Sequence, residues 1–74
     1  MNFGSKMQAM RAIRDMSQTT VAWYSGVSYR FINQAEGGKR EMNADQQFKI
    51  RVTLDWPVEL DVLLEQVEQG GFVK

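Results

Sequence analysis

"FKIRVTLDW", residues 48–56, decides between two folds for this chain. Apolar Phe48, Ile50, Val52, Leu54 and Trp56 alternate strictly with polar residues. Ile, Val and Thr favour extended backbone, so the local rule gives a β-strand. A helix fits the same residues: Asn43 serves as N-cap, Ala44 and Phe48 stand four apart, and so do Ile50 and Leu54. That helix carries Arg51 close to its buried side, which a charged residue normally avoids. The strand gives an α+β chain; the helix gives an all-α chain. Local pattern favours the strand.

Upstream the periodicity is helical. "SGVSYRFINQAEGGKR", residues 25–40, holds Ser28 as an N-cap, then "YRFINQAE", then a Gly37-Gly38 stop. Before it, "MSQTTVAWYSG" offers Ser17 as N-cap and Gly26 as a left-handed end. Two short helices joined by a turn of about three residues have the layout of a helix-turn-helix, here at about residues 17–36. Val21, Ala22, Val27, Ile32 and Ala35 form its expected core, with Phe31 at the edge. Tyr29 with Asn33, and Arg30 with Gln34, then project from the other side at i, i+4 spacing. The first helix is expected over 5–15, capped by Ser5, with Met7, Met10 and either Ile13 or Arg14 inward.

Downstream, Pro57 is suited to the first turn of a further helix. "PVELDVLLEQVEQGG" puts Leu60, Leu63, Leu64 and Val67 on one face, sets Glu59 and Asp61 near the N-terminus, and ends at Gly70-Gly71.

Seventy-four residues, 43% apolar and 24% charged, make one small globular domain over 1–74. Neither cysteine nor histidine is present, so disulfides, thiolate metal sites and the usual neutral-pH general base are all missing. An enzyme, a bound metal and a cofactor are therefore not expected. No leader-like apolar run opens the sequence, and no stretch approaches the roughly 20 apolar residues of a membrane span. A cytoplasmic protein without membrane contact is the expectation. The net charge is zero, yet residues 1–40 carry six basic against two acidic residues, and residues 41–74 three against seven. A basic front half suits a polyanion.

These residues resemble the lambda-repressor/Cro-type (Xre-type) helix-turn-helix family, without a gap over about residues 6–67. "MSQTTVAWYSGVS" is similar to the family's Leu-Ser-Gln, apolar-Ala and Ser-Gly-Val-Ser positions. "INQAEGGKR" is similar to its Ile, Glu and Gly-Lys-Arg positions, and Ile50, Leu54-Asp55-Trp56-Pro57 and Val58-Glu59-Leu60 fall at its spacing further on. The resemblance implies a compact all-α domain of four to five helices, and moves residues 44–55 toward helix. A Cro-like α+β ending, with 48–56 as a dimerising strand, is the alternative. It implies that Gln18 meets a DNA phosphate and braces the reading helix. It implies an interior ion pair between Arg11 and Glu36. Ser28, Tyr29, Arg30 and Gln34 match positions facing base edges or nearby phosphates, and Lys39 and Arg40 positions near the DNA backbone. The chain departs from the family at Asp15, where glycine is usual, and at Ala35, where a larger aliphatic residue is. Gln47 and Arg51 stand for Leu and Ala, and Trp23 and Tyr24 for polar residues.

The chemistry of base reading agrees with that implication. Arg30 can donate two bonds to guanine, and Asn33 or Gln34 can pair with adenine. The expected function is a transcriptional regulator, a phage- or mobile-element-type repressor binding a pseudo-palindromic operator on double-stranded DNA as a homodimer. The alternative is a protein-interaction module, antitoxin- or anti-repressor-like, on the same scaffold. Trp23 and Tyr24 are its candidate partner surface, with one of the two expected to pack inward. Leu60, Leu63 and Leu64 are expected to be core shared with a second subunit.

Overall fold

The computed structural model describes residues 2–68, with five helices and no strand among them. They are α1 (Phe3–Arg14), α2 (Gln18–Ser25), α3 (Tyr29–Glu36), α4 (Ala44–Thr53) and α5 (Val58–Glu68). The Gly70-Gly71 stop lies outside the described residues, as does the side chain of Val67. The fold is all-α.

Residues 48–56 are therefore not a strand. Asn43 Oδ1 accepts from the Gln46 backbone N–H at 2.8 Å while Gln46 Oε1 accepts from the Asn43 N–H at 3.0 Å, a complete capping box. A cap of this kind stabilises a helix start by about 1 kcal/mol. Ile50 and Leu54 are buried, as the helical spacing requires. Phe48 and Val52, which a strand would turn to the same side as Ile50 and Leu54, are 64% and 63% exposed. Ala44 and Phe48, also four apart, are both exposed, so of that spacing Ile50 and Leu54 alone enter the core.

Arg51 explains how a charge sits beside the core. Its guanidinium donates to Asp61 Oδ2 at 2.9 Å and lies over the Trp56 and Phe3 rings, at 4.7 and 5.3 Å from their centroids. Those two rings stack, with centroids 5.0 Å apart. A planar cation on aromatic faces with a carboxylate at its end is well placed at a half-buried site. Gln47, where the family has an apolar residue, is half-buried, and its Nε2 donates to the Met42 carbonyl at 2.9 Å.

One apolar cluster serves the helices: Met7 and Met10 from α1, Val21 from α2, Ile32 and Ala35 from α3, and Ile50 from α4. Val27, Met42, Leu54 and Trp56 join it from the connections, and Leu60 and Leu64 of α5 pack against it. Leu63 is exposed and does not share their face. Helix α1 starts earlier than Ser5 predicts. Asn2 is its N-cap, accepting from the Ser5 N–H at 2.9 Å, so Ser5 lies within the first turn. Ile13 is exposed; Arg14 instead donates to the carbonyls of Leu54 and Asp55, at 2.9 and 2.6 Å. Asp15 does take the left-handed conformation (φ 56°) that glycine usually supplies. Pro57 stands just before α5, its carbonyl accepting from Leu60 N–H at 3.0 Å.

Gly4 sets how close α1 comes to α3. A Cβ there would overlap the Ala35 backbone carbonyl. The small residue at 35 thus belongs to a tight helix crossing, and it is buried.

Candidate nucleic-acid interface

The helix-turn-helix arrangement is built by three local signals. Ser17 Oγ caps α2 by accepting from Thr20 N–H at 3.1 Å, and Ser28 Oγ caps α3 by accepting from Phe31 N–H at 3.1 Å. Between them Gly26 takes φ 78°, a conformation costly for any residue with a Cβ. Val27 is buried in the turn and ties it to the core. Ile32 and Ala35 anchor α3 inward, so Ser28, Tyr29, Arg30 and Asn33 are left exposed, with Gln34 half-buried.

Under this exposed side runs a chain of bonds through three helices. Arg11 donates from Nε and Nη2 to the two oxygens of Glu36, at 2.7 and 2.8 Å, and from Nη1 to the Met16 carbonyl at 2.9 Å. Only 4% of the Glu36 side chain is exposed. The hydrogen bond to Glu36 holds the Arg11 guanidinium charged to still higher pH than usual, against an opposing effect of burial. Gln18 Nε2 donates to Glu36 Oε1 at 2.9 Å, and Gln18 Oε1 accepts from Asn33 Nδ2 at 3.1 Å. Gln18, expected at a phosphate and as a brace for the reading helix, and Asn33, expected at a base edge on that helix, are therefore in contact. Nothing in the helical spacing of either residue signals that contact, since they lie on different helices.

Past α3, the Lys39 N–H donates to the Gln34 carbonyl at 2.8 Å, which turns the chain back over the end of the helix. Lys39 and Arg40 are exposed there, and the Arg40 guanidinium stands 4.8 Å from the centre of the Phe31 ring. Phe31 is thus a support for Arg40 as well as an edge of the core.

Charge pairing separates these cations from the others. Lys6 and Arg51 reach Asp61, Arg11 reaches Glu36, Arg14 reaches Asp55, and Lys49 reaches Asp45. Among the described residues, Arg30, Lys39 and Arg40 have no acidic partner. All three belong to α3 or the segment leaving it.

The candidate partner surface lies elsewhere. Trp23 and Tyr24 are 78% and 70% exposed, so neither packs inward as expected for one of them. Tyr24 lines a shallow groove between α2 and α4 with Phe48 and Val52. Of the α5 residues, Leu60 and Leu64 are half-buried and Leu63 is exposed. No helix of the described residues is long and apolar enough to cross a membrane. Comparison of the chain with family models, with curated proteins and with solved structures finds no match.

Proposed function

We propose that the protein is a cytoplasmic, sequence-specific DNA-binding regulator that places α3 in the major groove. The observation that carries this reading is the grouping of Arg30, Lys39 and Arg40, the described cations left without an acidic partner, on and just after the second helix of a helix-turn-helix. A cation already paired within the protein has little left for a phosphate; these three are available. Arg30 presents the fork that fits guanine O6 and N7, and Gln34 or Asn33 the amide that fits adenine. Ser28 and Tyr29, at the start of α3, complete the face. Lys39 and Arg40 serve phosphates, which hold the protein in register without reading sequence. Gln18 has one amide hydrogen beyond its bond to Glu36, and that hydrogen is available to a phosphate.

The resemblance of residues 6–67 to Xre-type proteins supports membership of that family and a phage- or mobile-element-type repressor acting as a homodimer on a pseudo-palindromic site. In that arrangement two reading helices enter successive major grooves about 34 Å apart. Exposed Leu63, beside half-buried Leu60 and Leu64, supports α5 as the dimer contact.

Selection of binding sites from random duplex DNA tests the reading. The expected result is a motif of two related half-sites, bound with an affinity that falls steeply as salt rises. No enriched motif is the opposing result. One observation favours a second reading, the protein-interaction module: Trp23, Tyr24, Phe48 and Val52 expose large apolar surface on α2 and α4. Such a module would bind DNA weakly and would shift on a sizing column with its partner.

A further inference from the structure

The bond from Asn33 to Gln18 has a direction, and that direction is set from inside the protein. Both oxygens of Glu36 receive N–H bonds from Arg11, so the carboxylate has no proton to give and can only accept. Gln18 must therefore turn its NH2 toward Glu36 Oε1, as it does at 2.9 Å. That choice leaves Gln18 Oε1 on the other end of the amide, where it accepts from Asn33 Nδ2 at 3.1 Å. Asn33 in turn has its NH2 committed toward Gln18, with Oδ1 on the far side. An amide at an exposed position ordinarily turns over to suit whatever it meets. Here a turn of Asn33 sets oxygen against oxygen at Gln18, and a turn of Gln18 sets oxygen against oxygen at Glu36.

We infer that buried Glu36, acting through Gln18, fixes Asn33 as an acceptor toward the major groove and so makes it select adenine over guanine at one position. The inference rests on the DNA-binding reading above. Adenine presents the N6 amino donor beside the N7 acceptor; guanine puts the O6 acceptor where adenine has N6. Asn33 Oδ1 accepts from N6, and the second hydrogen on Nδ2 remains for N7. Against guanine the same Oδ1 meets O6, and two acceptors face each other without a proton. Asn33 is the residue that touches the base. Gln18 and Glu36 are positioning residues, which act on base choice only through it.

The test is site selection with the parent, Asn33→Ala, Gln18→Met and Glu36→Gln, followed by competition between duplexes differing as adenine or guanine at the position Asn33 controls. In the parent, adenine should be preferred there by about tenfold or more, the discrimination a bidentate amide contact supplies. Asn33→Ala should erase the preference at that position alone. Gln18→Met keeps Asn33 but frees its amide, and should bring the ratio to within about threefold, under half the free energy of a tenfold preference. Other positions should keep their preferences, while affinity for all sequences falls with the lost Gln18 phosphate contact. A merely structural role for Gln18 would lower affinity without moving one base ratio. Glu36→Gln, whose side chain can donate as well as accept, should give the same single-position loss; thermal melts establish which variants are folded. If the parent enriches no motif, the DNA-binding reading itself is overturned, and the inference with it. If Asn33→Ala erases the preference while folded Gln18→Met and Glu36→Gln retain it, the reading stands and the relay is overturned.

Discussion

Glu36 accepts two bonds from Arg11, at 2.7 and 2.8 Å, with its side chain 4% exposed and Arg11's 17% exposed. The pair joins the C-terminal half of α1 to the end of α3 across a separation of 25 residues. A buried pair of this kind contributes little over an apolar replacement, but losing one partner strands the other. Arg11→Ala or Glu36→Ala should therefore destabilise the fold by about 3 kcal/mol or more. Circular-dichroism melts or urea titration measure it; an Arg11→Ala protein that unfolds like the parent rejects the structural role of the pair.

Arg30 and Lys39 should separate base reading from phosphate binding. Arg30→Ala and Gln34→Ala should each weaken binding to a selected operator by about 1–3 kcal/mol and relax preference at the bases they face. Lys39→Ala should weaken all sequences alike and reduce the salt dependence by about one counterion. Fluorescence anisotropy across a salt series reads both effects. Equal operator binding by parent and Arg30→Ala would place the reading face elsewhere.

Gly4→Ala should invert the usual rule for helices. At an open helix site this change stabilises by about 0.5–1 kcal/mol. At position 4 the new methyl runs into the Ala35 carbonyl, which is backbone and has no rotamer to escape by. The expected result is a loss of about 1–3 kcal/mol, the usual cost of overpacking. A thermal melt decides the sign, and a rise in midpoint would contradict the close crossing of α1 and α3.

The exposed apolar residues separate the two functional readings. Trp23→Ser and Phe48→Ser should each alter stability by no more than about 0.5 kcal/mol, since neither side chain is in the core. For a DNA reader, operator affinity should survive both. For an interaction module, either should abolish the co-elution with a partner that the parent shows on a sizing column.

Leu63→Asp tests the dimer separately. Leu63 is exposed, so the substitution should leave the monomer folded. Sedimentation should then show a parent dimer and a variant monomer, with the variant binding half-sites independently. A dimer that persists in Leu63→Asp would move the subunit contact off this face of α5.

Several of these relationships were legible in residues alone. Ser17, Ser28 and Gly26 act within three or four residues of their own positions, so the two short helices and their turn can be read without tertiary knowledge. Asn43 is likewise a local signal, and its cap on α4 was open to reading. The alternation in residues 48–56 misleads because its period of two puts Phe48 and Val52 with Ile50 and Leu54, whereas the core receives only the latter pair. Resemblance, not pattern, pointed to the helix there.

The sequence by itself determined where helices begin and end around the turn, that Tyr29, Arg30 and Asn33 of α3 face outward, and that the front half of the chain is basic. Those properties depend on neighbours along the chain. Only tertiary structure decided that Arg51 has Asp61 and two aromatic rings to receive it, that Gly4 lets α1 press against α3, and that Trp23 and Tyr24 both stay in solvent. It also decided that Gln18 lies between Glu36 and Asn33. The reason is the same in each case. A hydrogen bond or contact between helices depends on how the helices pack, and packing brings together residues 10 to 53 positions apart whose local patterns contain no trace of one another.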